Sequence, residues 1–278
     1  MSVRQSEGRP AAGIVYLVGA GPGDPGLLTV RAAELLRAAD VVAHDELVAP
    51  AILNLAPASA ERLPVGRRQG SGKIDYRLHP AVLDRARRGL RVVRLKSGDP
   101  LIFGRGGEEA EELAEQGIPF EIVPGISAAL GAAAYAGIPL THRHVSSGVL
   151  LATGHEAEGS ASGSAAGSHE NVVLVAPRAP GASPARDRTL VLYMAARRVR
   201  PTLRRLVDEG FPASTPAAYV AAATTPAQEV VVGTLADLAD AIPPPSTAGR
   251  PPGLLIVGEV VRLRSRLAWF GVTDRSTT

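Results

Sequence analysis

The run Gly13-Ile-Val-Tyr-Leu-Val-Gly19, followed at once by Ala20-Gly-Pro-Gly-Asp24, opens the fold. A short apolar run ending in glycine reads as a buried strand, and Leu27–Ala39 beyond the turn carries apolar residues at helical spacing. The pattern continues outward. Strands are predicted at Val41–Ala43, Arg62–Val65, Leu90–Leu95 and Pro119–Val123, and helices at Pro80–Arg88, Glu108–Gln116 and Ile126–Tyr135. Strands alternating with helices predict an α/β fold with a mostly parallel sheet. Gly137–Arg143 reads as a connection to a second half. There, strands at Val149–Thr153, Leu190–Met194, Ala217–Ala223, Glu229–Gly233 and Leu254–Gly258 share one helix, Pro201–Glu209, so that sheet is expected to be mixed. The two halves, 13–140 and 141–270, make one large domain or two modest ones. Glu156–Arg188 is rich in Gly, Ala, Ser and Pro, and is expected to be a mobile surface insertion apart from a strand-like Val172–Val175.

Composition narrows the chemistry. The chain has 278 residues, enough for one large or two modest domains. Cysteine is absent, which excludes disulfide scaffolds, thiolate metal sites and cysteine nucleophiles. A net charge of +3 is too weak for a dedicated nucleic-acid binder. The charge is uneven, however: eleven Lys/Arg and only two acids lie between Arg62 and Lys96. That stretch is read either as a surface steering a polyanion or as a solvated helix face. No apolar run reaches membrane-spanning length, and Met1–Pro10 lacks a signal-peptide core, so a cytoplasmic protein without membrane partners is expected.

Two glycine loops follow strands. Gly19-Ala-Gly-Pro-Gly-Asp24 is not a dinucleotide fingerprint, because Asp24 stands where glycine is needed and Pro22 removes a backbone donor. Lys96-Ser-Gly-Asp-Pro100 continues into Phe103-Gly-Arg-Gly-Gly-Glu-Glu109. Two such loops at the ends of parallel strands predict a lined crevice. Gly66–Lys73 fails as a phosphate loop, since Arg67 and Ile74 occupy its glycine and Ser/Thr positions. His142 and His144, with His155 as the nearest third ligand, read as ordinary histidines and not as a metal site. No Gly-x-Ser-x-Gly elbow is present.

Taken together, Tyr16–Thr29, Asp40–Val48, Val93–Glu109, Val123-Pro-Gly-Ile-Ser-Ala-Ala129, Gly137-Ile-Pro-Leu-Thr-His-Arg143, Thr153-Gly-His155, Thr189–Met194, Leu255-Ile-Val-Gly258 and Trp269-Phe270 resemble the tetrapyrrole methylase family. Within it they are most similar to the branch acting on uroporphyrinogen III. The resemblance implies two α/β domains with S-adenosyl-L-methionine bound in the cleft between them, and a homodimer. It implies methylation of uroporphyrinogen III at C2 and C7 to give precorrin-2, for sirohaem and cobalamin synthesis. It places the donor at Pro22, Ser97, Gly98, Asp99, Ile102, Ser127, Ala128, Met194 and Ala223, and Arg105 against the substrate. Asp45 falls at the proposed proton acceptor, and Arg67 where a proton-donating lysine is proposed. A substrate carrying eight carboxylates suits arginine forks. A sulfonium methyl arrives already activated, which fits a chain without cysteine.

The departures carry information. Arg67 cannot release a proton at working pH, so its expected role is electrostatic. His44 replaces a tyrosine common beside the aspartate, and could share proton transfer with Asp45. Ser97 replaces the first glycine of its loop, so either that position needs no positive φ or strain is stored there. Ser-Gly-Asp-Pro also resembles the precorrin-4 branch. The alternatives are therefore a later precorrin methyltransferase, an RNA-directed member of the family, or a non-catalytic binding protein. For Asp45 the alternative is a carboxylate that fixes a turn.

Overall fold

The computed structural model describes residues 13–66, 77–154, 188–242 and 252–271. Two compact units divide at Ala128, one covering Met1–Ala128 and the other Ala129–Thr278. The alanine-rich helix thus goes almost entirely with the second unit.

The first unit is built on β1 (Ile14–Gly19), β2 (Val41–His44), β3 (Glu61–Pro64), β4 (Arg91–Lys96) and β5 (Phe120–Val123). They form one sheet in the order β3-β2-β4-β1-β5, parallel at every pairing. Helices α1 (Val30–Arg37), α2 (Pro50–Leu53), α3 (Pro80–Arg87) and α4 (Gly106–Glu115) supply the layers. Leu35 and Leu36 of α1 pack on one face with Val93 and Leu95, while Val82 of α3 and Leu113 of α4 pack on the other with Val92 and Leu17. The chain therefore leaves β1 on one face of the sheet and β4 on the opposite face. Such a switch between adjacent strands opens a crevice outside their carboxyl ends.

Local chemistry sets the boundaries. The first helix starts at Val30 and not at Leu27, because the Thr29 hydroxyl accepts from the Ala32 amide as an N-cap. Asp24 caps a short 3-10 turn by accepting from the Gly26 amide at 2.7 Å. The acid that spoils a dinucleotide loop has a local structural use.

The second unit holds β6 (Gly148–Thr153), β7 (Arg188–Tyr193), β8 (Pro216–Ala221), β9 (Glu229–Thr234) and β10 (Gly253–Val257), with α5 (Ala128–Ala136), α6 (Val199–Asp208), α7 (Leu238–Ala241) and α8 (Arg264–Leu267). Its sheet order is β6-β7-β10-β8-β9. The sheet is mixed: β6 and β7 are parallel, and the other pairings are antiparallel. One core joins Leu192, Leu255 and Tyr219 to Leu203 and Leu206 of α6 and Leu238 of α7. The end of α5 is closed by the C-terminal segment. Trp269 donates its indole N–H to the Ala134 carbonyl at 2.9 Å, and the Arg264 guanidinium donates to that of Ala136. Tyr135, Trp269 and Phe270 stack around this point with centroids 4.7–5.6 Å apart. No helix among the described residues is long and apolar enough to cross a membrane.

Candidate functional site

In the first unit the candidate residues gather along the carboxyl edge of the parallel sheet. Main chain comes first. The Gly21 amide donates to the Gly98 carbonyl at 3.1 Å, and the Gly98 amide returns a bond to the Gly21 carbonyl at 2.8 Å. A third loop joins them: a Cβ on Gly125 would lie 2.4 Å from the Gly98 oxygen and 2.8 Å from the Gly19 Cα. Backbones this close exclude any side chain. The loops after β1, β4 and β5 thus meet as bare main chain, and bring Pro22, Ser97 and Ser127 to one edge.

Asp99 locks this junction. One carboxylate oxygen accepts from the Leu101 amide at 2.8 Å, the other from the Gly125 amide at 3.0 Å. Its side chain binds two loops of the protein together. The left-handed conformation sits on Gly98, at φ +71°, and Ser97 is not among the residues of positive φ. The serine therefore stores no such strain. Beyond it, Leu101, Ile102 and Phe103 form an exposed apolar run. Phe103 and Arg105 both adopt positive φ, 53° and 58°, so the turn into α4 is strained at two side-chain-bearing residues. Arg105 is part-exposed and pairs with Glu108 at 3.4 Å.

Asp45 stands at the end of β2. Its amide donates to the Leu95 carbonyl at 3.1 Å, which holds it against β4. Its carboxylate meets Arg94 Nη2 at 2.6 Å. The same guanidinium reaches Glu109 Oε1 through Nη2 at 2.9 Å and Nε at 3.2 Å, and donates through Nη1 to the Leu95 carbonyl at 3.2 Å. Lys96 Nζ lies 2.9 Å from the same Glu109 oxygen. Side-chain exposure is 6% for Arg94, 3% for Lys96 and 10% for Glu109, but 31% for Asp45. Burial opposes the charge on Arg94, yet Glu109 and Asp45 outweigh it and raise its pKa above the ordinary arginine value. Burial, reinforced by the Arg94 charge, pushes Lys96 below the ordinary lysine value despite Glu109 and Asp45. His44 turns Nδ1 to the Asp45 carbonyl oxygen at 3.1 Å, not to its carboxylate.

This network accounts for four of the eleven cations of Arg62–Lys96, the stretch read either as steering a polyanion or as a solvated helix face. Arg94 and Lys96 are buried, Arg91 pairs with Asp40 at 3.1 Å, and Arg85 pairs with Glu61 at 2.9 Å. Acids distant in sequence neutralise these four cations. Arg67 and Lys73 lie outside the described residues, as do His155 and 156–187 with the strand expected at Val172–Val175.

In the second unit β7 and β8 both run antiparallel to β10, which lies between them. Met194 and Ala223 therefore emerge at the same edge of that sheet. Both loops are strained there: Met194 has φ +56°, Ala222 +44° and Thr224 +66°. Both are tied to α5. The Tyr193 hydroxyl accepts from the Ala129 amide at 3.2 Å, next to Ala128. Gln228 takes the Thr224 amide at 2.8 Å and donates to the Tyr135 carbonyl at 3.1 Å. Strained residues that the surroundings hold in place cluster at working sites. Among the described residues no group of three or more His, Cys, Asp or Glu is arranged to hold a metal ion.

Sequence reading missed Arg94, Lys96 and Glu109 as a group. The signal was available: in Arg91-Val-Val-Arg-Leu-Lys96 the alternation puts residues 94 and 96 on one face of a strand with neighbours on both sides. Two cations there require a buried carboxylate.

Residues 14–239 match the family described as Tetrapyrrole (Corrin/Porphyrin) Methylases. Siroheme synthase 1 of Halorhodospira halophila is 47% identical over 270 residues, covering 96% of this chain and 52% of the relative. The siroheme synthase of Azotobacter vinelandii is 50% identical over 261 residues, covering 94% and 53%. The chain thus spans about half the length of these curated relatives. Uroporphyrin-III C-methyl transferase from Thermus thermophilus, solved with S-adenyl homocysteine, is 38% identical with a TM-score of 0.71, covering 90% of this chain and all of that one. A cobalt precorrin-4 methyltransferase is 28% identical with a TM-score of 0.69, covering 89% and 95%.

Proposed function

The chain belongs to the tetrapyrrole methylase family, and on that premise we propose that it methylates uroporphyrinogen III at C2 and C7 with S-adenosyl-L-methionine, giving precorrin-2. The observation that carries this reading is the carboxyl-edge crevice of the first unit, where bare glycine main chain adjoins an anchored, part-exposed carboxylate. The 38% identity to the Thermus enzyme, over that enzyme's full length, supports the choice of substrate.

The residues present fit the donor. Adenosylmethionine combines a flat apolar base with polar ribose and amino-acid groups. The Pro22 carbonyl and the Ser97 main chain adjoin the Gly21–Gly98 pair, whose own amides and carbonyls are bonded to each other, and Ile102 offers an exposed apolar contact. Asp99 serves by holding this loop. Ser127, Ala128, Met194 and Ala223 complete the assignment. When bound, the donor supplies a methyl group on a sulfonium, already activated for transfer.

The protein's own part is alignment and proton handling. Asp45 accepts the proton that the substrate loses once its carbon has gained the methyl. Its ion pair with Arg94 keeps it oriented for this. Arg105 binds a substrate carboxylate through its guanidinium. Arg67 contributes positive charge without proton transfer. We further infer a cytoplasmic homodimer, as the family resemblance implies.

The test is anaerobic incubation with uroporphyrinogen III and S-adenosylmethionine, counting added methyl groups by mass. Two additions are expected. No addition, with donor binding intact, sinks the reading. Ser97 favours a second reading, a later precorrin methyltransferase, because Ser-Gly-Asp-Pro resembles the precorrin-4 branch. That reading predicts turnover of a precorrin and none of uroporphyrinogen III.

A further inference from the structure

Stability alone does not call for the Arg94–Lys96–Glu109 cluster. Burying charges costs several kcal/mol each, and apolar residues of similar volume commonly serve as well or better. The neighbouring positions on that sheet face, such as Val92 and Leu17, are apolar. What the cluster supplies is a fixed anchor. Arg94 uses Nε, Nη1 and Nη2 on Glu109 and the Leu95 carbonyl, and offers Nη2 to Asp45 as well. Glu109 is held in turn by Lys96. Support therefore runs from α4 through β4 to the end of β2, where Asp45 is the member most open to solvent.

Every donor to Glu109 converges on Oε1, whereas Oε2 is buried without a hydrogen-bond partner. Glu109 and Asp45 thus share one guanidinium nitrogen, Arg94 Nη2. Removing the Glu109 charge leaves Arg94 to Asp45; removing Arg94 leaves Asp45 without its cation. Among the described residues, the titratable groups beside Asp45 other than Arg94 are Lys96 on β4, and His44 and Glu46 next to it in the chain. On the β3 side the register places Pro64, uncharged, opposite His44.

We propose that Arg94 is the positioning residue for the proton-accepting carboxylate of Asp45, and that Glu109 and Lys96 act through Arg94 to set how tightly it is held. The proposal rests on Asp45 being the proton acceptor.

The experiment measures the pH profile of kcat for methyl transfer to uroporphyrinogen III in four variants, with thermal unfolding as a control. Arg94→Lys keeps the charge but loses the fork. It is expected to lower kcat by about tenfold or more, to change KM for the donor by less than about twofold, and to move the acid limb to higher pH. Glu109→Gln keeps an acceptor oxygen, and is expected to move the acid limb to lower pH. Lys96→Met strengthens the hold of Glu109 on Arg94, and is expected to move it upward, as Arg94→Lys does. The last two keep the test decisive if Arg94→Lys does not fold. A limb that stays put in all folded variants, or moves the same way in Glu109→Gln and Lys96→Met, overturns the proposal, whatever the unfolding temperatures do. Asp45→Asn separates the two levels. If it turns over at the wild-type rate, the proton-acceptor reading falls. If it is inactive while the limbs do not diverge, that reading stands and the positioning role falls.

Discussion

Gly19 and Gly125 meet backbone to backbone, so that a Cβ on Gly19 would lie 2.5 Å from the Gly125 nitrogen and 2.7 Å from the Gly98 oxygen. All the opposing atoms are main chain, which cannot rotate aside. Gly19→Ala is therefore expected to destabilise the protein by about 1–3 kcal/mol and to weaken donor binding, as the loops after β1, β4 and β5 are pushed apart. Gly107 is the control. A Cβ there meets nothing within 4 Å, and it lies in α4. Gly107→Ala should be neutral or stabilising by up to about 1 kcal/mol. Denaturant unfolding and calorimetric titration with adenosylhomocysteine check both.

Glu109→Ala removes the only acid that touches both Arg94 and Lys96 among the described residues. Two cations would remain buried with Asp45 alone, and a loss of about 3–5 kcal/mol is expected. The double variant Glu109→Ala, Lys96→Met should be less destabilised than Glu109→Ala, because one of the stranded charges is gone. A double-mutant cycle by urea unfolding measures the coupling. Additive losses would contradict the network.

Asp40 shows how surface pairing enters acid stability. Hydrogen bonds from the Arg91 side chain and amide hold its carboxyl below the usual aspartate range. A depressed carboxyl contributes stability that is present above the unfolded value, about pH 4, and lost as pH falls through the folded one. Both partners are more than a third exposed, so solvent limits the contribution to below about 1 kcal/mol. Asp40→Asn should flatten the loss of stability below about pH 4 and change little at neutral pH.

Met194 carries φ +56°, a conformation that costs a side-chain-bearing residue about 1 kcal/mol or more. Met194→Gly should relieve that strain and leave stability unchanged or raised. If Met194 contacts the donor, the same change lowers donor affinity. A variant that becomes less stable with unaltered affinity would refute the assignment.

Trp269 closes α5 through its indole N–H on the Ala134 carbonyl. Trp269→Phe keeps a ring beside Tyr135 and removes the donor, at an expected cost of about 1 kcal/mol. Hydrogen exchange should show faster opening at the C-terminal turn of α5, with β8 and β10 unaffected.

The alternation of apolar strands and helical spacing made the first sheet legible, and the run of adjacent strands after Val149 made the mixed character of the second so. Short helices such as α2 and α7 escaped, because four residues do not complete a periodic pattern. The glycine loops were visible as motifs, but the three-way main-chain contact was not, since it joins three separate loops, after β1, β4 and β5, in a register that only the sheet order fixes. The pairing of the basic run was hidden for a related reason. Its counter-charges, Asp40, Asp45, Glu61 and Glu109, lie on other elements or beyond its end. Counting charges along a chain does not reveal pairing across a sheet.

The junction of Gly19, Gly98 and Gly125 has a consequence for engineering this protein. Its shape is written in peptide units, so it is the same whatever side chains surround it. Changes in what the crevice accepts must then come from replaceable residues at the rim that carry no donor contact, such as Phe103 and Arg105. Libraries that vary those two positions and leave the three glycines and Ile102 alone should keep donor binding while exploring new acceptors.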